Sequence, residues 1–98
     1  MTAKQKFQTI TIVLPSSPPM RSVDRIERFD TPLSKVLQAG KMGSIIGSRT
    51  GVKSCDIDVM VHSDMFDQAV LLLSKKLKKL ECPEGTRLIA GTWSKKVA

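Results

Sequence analysis

In residues 54–62, SCDIDVMVH, every odd-numbered position holds an apolar side chain and most even-numbered positions hold a polar one. Successive side chains of a β-strand point to opposite faces, so this alternation predicts a strand with one buried face and one open face. Such half-covered strands are typical of antiparallel sheets. Cys55, Ile57, Val59 and Val61 are therefore expected to point into a core.

A second alternating stretch lies near the N-terminus. Residues 7–14 interleave isoleucine and leucine with threonine and glutamine, which predicts a half-buried strand that ends at Pro15. The proline- and serine-rich residues 15–21 predict a loop. Residues 22–30 fit either a helical turn or an irregular extended segment, and both alternatives stay open.

Two amphipathic stretches predict helices. The first covers residues 32–39, with Thr31 as N-cap and Gly40 as the stop signal. The second follows a cap at Ser63 or Asp64 and ends in a run of lysines, which the helix dipole favours at a C-terminus. Its apolar residues recur at helical spacing: Phe66, Ala69, Val70, Leu73, Leu77 and Leu80.

The remaining elements complete an α+β order. Residues 42–50 predict a glycine-bearing strand, with Gly47 and Gly51 in tight turns, and residues 86–93 predict the last strand. The order βαββαβ predicts a ferredoxin-like sandwich, a four-stranded antiparallel sheet with two helices on one face. Ninety-eight residues are enough for one hydrophobic core, so residues 1–98 are expected to form a single domain.

Three stretches carry a resemblance to other proteins. Residues 30–47 combine a helix with a glycine-bearing strand, residues 55–59 read CDIDV, and residues 82–86 read CPEGT. In these stretches the chain resembles small uncharacterised bacterial proteins of ferredoxin-like type. The resemblance implies a fold and no activity, because these motifs contain turn residues and strand patterns rather than reactive groups.

Basic residues outnumber acidic ones by 16 to 9, which gives a formal charge of +7. Such an excess favours contact with nucleic acid, another polyanion or an acidic protein. The alternative interpretation is solubility together with stabilisation of a helix C-terminus. The candidate polyanion contacts are Lys75, Lys76, Lys78, Lys79, Lys95 and Lys96.

Catalytic chemistry has little support in the sequence. His62 is the one histidine, and Cys55 falls on the opposite face of the same strand. Asp56, Asp58 and His62 share a face, but even alternate positions of a strand lie ~6.6 to 6.8 Å apart, too far for one strand to form a tight metal site. We therefore expect no enzyme, no cofactor, no metal site and reduced cysteines.

Known phosphate and RNA motifs also fail to match. The loop at residues 46–51, IGSRTG, lacks the lysine of a phosphate-binding loop and the G-x-x-G of a KH domain. The predicted third strand carries aspartates where RNA-binding sheets carry aromatic rings. Specific RNA recognition by the sheet is thus not expected.

The open sheet face suggests self-association. It is predicted to include Val13, Met60, Ile89 and Trp93, a mixed apolar surface that suits an isologous homodimer; alternatively, Trp93 folds over its own domain's edge. The resulting hypothesis is a cytoplasmic, non-catalytic binding or assembly module. A nucleic-acid or polyanion binder and an inhibitor or immunity protein for an acidic partner are the alternatives. No membrane partner is expected, because no apolar run approaches ~18 residues.

Overall fold

The computed structural model of the protein describes residues 6–16 and 20–98. Within them, five strands form one antiparallel sheet in the order β2-β3-β1-β4-β5. The strands are β1 (Phe7–Pro15), β2 (Gly43–Thr50), β3 (Ser54–His62), β4 (Arg87–Ala90) and β5 (Trp93–Lys96). The middle of the predicted loop, residues 17–19, lies outside the described residues.

The two long central strands, β1 and β3, confirm the alternation seen in the sequence. They pair over their whole lengths, from Phe7 opposite His62 to Pro15 opposite Ser54. The inward side chains are fully buried, and the outward ones on β3 are half-buried. The inward set is Ile10, Ile12, Leu14, Cys55, Ile57, Val59 and Val61.

The first helical segment is longer than the sequence indicated. It runs without a break from α1 (Ser22–Arg25) through a π-helical turn (Ile26–Asp30) into α2 (Thr31–Ala39). The helical alternative for residues 22–30 is therefore correct, and Thr31 is not an N-cap, because Asp30 before it is already helical. The wide π turn accommodates the ring of Pro32, which would otherwise clash with the preceding turn.

The second helix, α3 (Phe66–Lys79), confirms the predicted amphipathic stretch. A short 3-10 turn, Ser63–Met65, precedes it, and no side chain caps either helical start. The expected cap at Ser63 or Asp64 is therefore wrong. The Ser63 hydroxyl is instead buried without a hydrogen-bond partner among the described residues.

The C-terminal part departs most from expectation. Residues 86–93 do not form one strand. They include β4, the two-residue loop of Gly91 and Thr92, and the first residue of β5, so that β4 and β5 form a hairpin. Gly91 has a φ of +61°, and Thr92 does not share this left-handed conformation, as in a type II′ turn. The expected count of four strands is corrected to five.

Of the two glycines predicted to lie in tight turns, Gly51 does so and Gly47 does not. Gly51 lies in the turn to β3, where its N–H donates to the Ser54 carbonyl at 2.8 Å. Gly47 lies inside the strand, beside a bulge that turns Ile46 outward. At Gly43, β2 and β3 approach so closely that a Cβ atom on residue 43 would lie 1.9 Å from the Met60 carbonyl oxygen.

Both helical segments pack on the same side of the sheet. Phe29, Leu33, Leu37, Leu73 and Leu77 are fully buried against the inward strand residues in one cluster. The opposite face of the sheet carries none of the described helices. None of the helices in residues 6–16 and 20–98 has the length and apolar character needed to cross a membrane.

Candidate interaction surfaces

The open face of the sheet is a five-strand surface in which rows of side chains can be assigned from the register. One row runs from Arg49 through Asp56, Val13 and Arg87 to Lys96. The next row runs from Gly47 on β2 to Ser94 on β5 and includes Asp58, Thr11 and Ile89. We call these residues, together with Met60 and Thr9 of the following row, the open face.

The aspartates of the open face are held by neighbours within the sheet. Thr11 donates a hydrogen bond from Oγ1 to Asp58 Oδ1 at 2.7 Å. Arg49 reaches Asp56 Oδ2 at 3.3 Å from Nη2 and Asp58 Oδ2 at 3.7 Å from Nη1. The charge of both carboxylates is thus partly compensated on the β2 side.

The end of β3 does not bring the aspartates and His62 together. The His62 ring instead lies 4.9 Å from the Phe7 ring of the neighbouring strand, in a tilted contact. In the part of the chain that the structure describes, no group of three potential metal ligands forms. Both cysteines are free, with Cys55 buried and Cys82 half-buried.

The structure places three of the four residues predicted for the open face on it. Val13, Met60 and Ile89 lie there and are half-buried. Trp93 does not, because it pairs with Ala90, and Ala90 lies on the same face as the buried Leu88. Its ring contacts Phe66 of α3 edge-on at 5.3 Å between centroids, on the helical side. The interpretation that Trp93 folds over its own domain's edge is the correct one.

The six lysines predicted as polyanion contacts fall on several surfaces. Lys75, Lys76 and Lys79 line a cavity of about 230 Å³ between α2 and α3, whose apolar part is Val36 and Leu72. We call this cavity the lysine groove. The other three lie outside its lining and are exposed: Lys78 on α3, Lys95 on β5 and, within the open face, Lys96.

Arg21, directly before the first helical segment, and Arg28 within it both contact near neighbours. Arg21 pairs with Asp24 at 3.0 Å, and its hydrogen bond lowers the pKa of that carboxyl. The guanidinium carbon of Arg28 lies 5.0 Å from the centroid of the Phe29 ring.

Arg25 forms a buried polar cluster that the sequence did not indicate. Its Nε lies 3.3 Å from Asp30 Oδ1, and its Nη1 donates to the Thr50 hydroxyl. Ser48 donates to Asp30 Oδ2 at 3.2 Å. This cluster fastens the π turn to β2, on the face of the sheet opposite to Asp56. Arg25 and Asp30 are five residues apart, which is the spacing of one π-helical turn. No sequence pattern predicted this turn, so the pair was not expected.

The chain matches no family model, no curated protein and no solved structure.

Proposed function

We propose that the protein is a non-catalytic binding and assembly module that forms a homodimer through its open face. The supporting observation is that Val13, Met60 and Ile89 lie half-buried on three neighbouring strands of a face without a described helical cover. Apolar side chains mixed with polar ones are the composition of ordinary protein interfaces. A second copy supplies a matching surface, because an isologous contact uses the same residues on both sides.

The size of the open face sets the expected strength of this dimer. From the strand lengths and the spacing of a β-sheet, each copy offers about 550 Å² of flat sheet area. Two copies together bury about 1,100 Å², which is near the lower limit for specific interfaces. We therefore expect a reversible dimer in the micromolar range.

We also propose that the fold is a ferredoxin-like frame with one added strand. The support is that β1 to β4 follow the sheet order β2-β3-β1-β4 and alternate with two helical segments in the order βαββαβ. In this description β5 is an addition at the edge of the frame. Its consequence for function is a wider open face that ends in Lys96.

Sedimentation velocity over about 1 µM to about 500 µM tests the homodimer. Wild-type protein is expected to change from monomer to dimer across this range. Met60→Lys puts a charge on the open face and is expected to weaken the dimer at least about 10-fold. Leu71→Lys is the matched control, since Leu71 is 54% exposed on α3 and lies away from the sheet. A wild-type monomer at the highest concentration contradicts the proposal.

A second candidate function is binding of a polyanion in the lysine groove. Three lysines line one cavity there, and none of the other described lining residues is acidic. Electrostatic binding of this kind falls steeply with salt. A fluorescent single-stranded oligonucleotide at low ionic strength should bind wild type and bind Lys75→Glu/Lys79→Glu much more weakly. Lys95→Glu, outside the groove, is the control, and absence of wild-type binding contradicts this function.

An inhibitor or immunity protein for an acidic partner is a further alternative. It would use the same groove, because a carboxylate-rich surface is also recognised by lysines. Binding of an acidic polypeptide in place of the oligonucleotide, with the same variants, distinguishes it from nucleic-acid binding.

A further inference from the structure

The charges of the open face are distributed unequally on the two sides of β1. On the β3 side lie the carboxylates of Asp56 and Asp58. On the other side lie Arg87 of β4 and Lys96 of β5, which are opposite each other in the hairpin. Val13 of β1 pairs with Asp56 on one side and with Arg87 on the other, so it marks the boundary between the two charges.

The basic side of this surface is not compensated by any ion pair within residues 6–16 and 20–98. Arg87 and Lys96 are both exposed, and neither forms an ion pair with any of the described residues. Like charges placed directly opposite in a sheet are destabilising. Because nothing in the described fold requires two cations here, an external carboxylate is the group that this pair would accept.

A second copy of the chain carries such carboxylates at the right place. We propose that two copies pack open face to open face about a two-fold axis that runs parallel to β1 and passes near Val13. This inference rests on the proposed homodimer and adds its partner orientation. The rotation exchanges the two sides of β1, so β3 of each copy lies over β4 of the other. Asp56 then faces the partner's Arg87, and this contact occurs twice.

Spacing in the sheet supports the alignment. Strands β3 and β4 each lie about 4.8 Å from β1, on opposite sides, so the rotation superposes them. Face-to-face sheets lie about 10 Å apart with strand directions within about 30°, a gap that an arginine and an aspartate side chain span together. At the outer edge Arg49 approaches the partner's Lys96, but Asp56 and Asp58 already compensate its charge.

The other symmetric arrangement with aligned strands is electrostatically unfavourable. An axis perpendicular to the strands would place β3 over β3 and β4 over β4. Asp56 would then meet carboxylates, and Arg87 would meet Arg87 of the partner subunit. Juxtaposed like charges suppress such pairings, so the charge pattern selects the axis along β1.

Two charge reversals test the orientation by sedimentation equilibrium. Asp56→Arg and Arg87→Asp alone should each weaken self-association at least about 10-fold, because each puts like charges face to face twice. The double variant should recover wild-type affinity within about 3-fold. An equimolar mixture of the two single variants should form a heterodimer, since one copy then carries only cations at these positions and the other only carboxylates.

A control and a second pair keep the test decisive. Lys95→Asp makes the same charge change as Arg87→Asp in the neighbouring strand but on the other face of the sheet, and it should leave the affinity unchanged. If thermal unfolding shows that either reversal is unfolded, Asp56→Lys and Arg87→Glu replace them. If Met60→Lys weakens the dimer but the two single reversal variants do not associate when mixed, the proposed orientation is wrong. The homodimer itself is then still supported. A monomeric wild type overturns the orientation and the homodimer together.

Discussion

Replacing Asp30 with asparagine is expected to remove a large part of the protein's stability. The side chains of Arg25 and Asp30 are only 7% and 14% exposed and lie 3.3 Å apart, so the substitution leaves a guanidinium charge buried without its counter-ion. Breaking a buried pair in this way costs about 3–5 kcal/mol. A domain of this size has a total stability of only about 5–15 kcal/mol.

Thermal unfolding followed by circular dichroism measures this loss. Since 1 kcal/mol corresponds to about 4–8 °C in a domain of up to about 100 residues, Asp30→Asn should lower the Tm by at least about 12 °C. Asp24→Asn is the matched control in the same helical segment, because its partner Arg21 is exposed and the Tm should not change. Replacing both buried partners, in Arg25→Met/Asp30→Leu, should recover most of the loss. A Tm of Asp30→Asn equal to that of Asp24→Asn would refute the assignment of a buried ion pair.

Three further substitutions test the fold, with urea unfolding as the assay. Gly43→Ala should destabilise the protein by about 1–3 kcal/mol or more, because the new Cβ atom would overlap the β3 backbone. The control Gly47→Ala should change the free energy of unfolding by no more than about 0.5 kcal/mol. Equal destabilisation by the two substitutions would contradict the close contact between β2 and β3 at Gly43. Leu73→Ala should cost about 2–5 kcal/mol, since Leu73 is fully buried between α3 and the sheet, and a change near zero would place it outside the core. Gly91→Ala should cost about 1–2 kcal/mol, because residue 91 is left-handed; an unchanged midpoint would argue against the β4–β5 turn.

The central strands and α3 were predictable because their sequence periods are clear. In β3 the two-residue alternation continues over the whole strand, and a shift of one residue would expose the four buried side chains from Cys55 to Val61. In α3, Leu73 and Leu77 lie one turn apart on the buried face, as the helical spacing indicated. Burial alone specifies both elements, so sequence patterns were sufficient.

The beginning of the first helical segment was not predictable from local signals. Thr31 and Pro32 have the residue types of a helix start, yet the helix begins at Ser22. Tertiary contacts override this local preference for a start at Thr31. Arg25 and Phe29 are buried, and they hold the helical turns before Thr31 against the sheet. The π turn also breaks the helical periodicity that would have revealed the segment.

The incorrect prediction of a single strand over residues 86–93 also assigned Trp93 to the wrong face of the sheet. Residues 86–93 read as one strand, and continuous alternation then puts Trp93 on the open face. The two-residue loop reverses the chain, so Trp93 pairs with Ala90 and lies on the helical side against Phe66. Lys96, by contrast, comes to lie beside Arg87 on the open face. The unequal charge distribution was therefore visible only once the hairpin was known.

Amide chemical shifts recorded during dilution of ¹⁵N-labelled wild type test self-association through the open face most directly. We expect concentration-dependent shifts at residues 9–13, 56–60 and 87–89, with little change along α3. Shifts centred on α3 or on the lysine groove, or a spectrum independent of concentration, would contradict it.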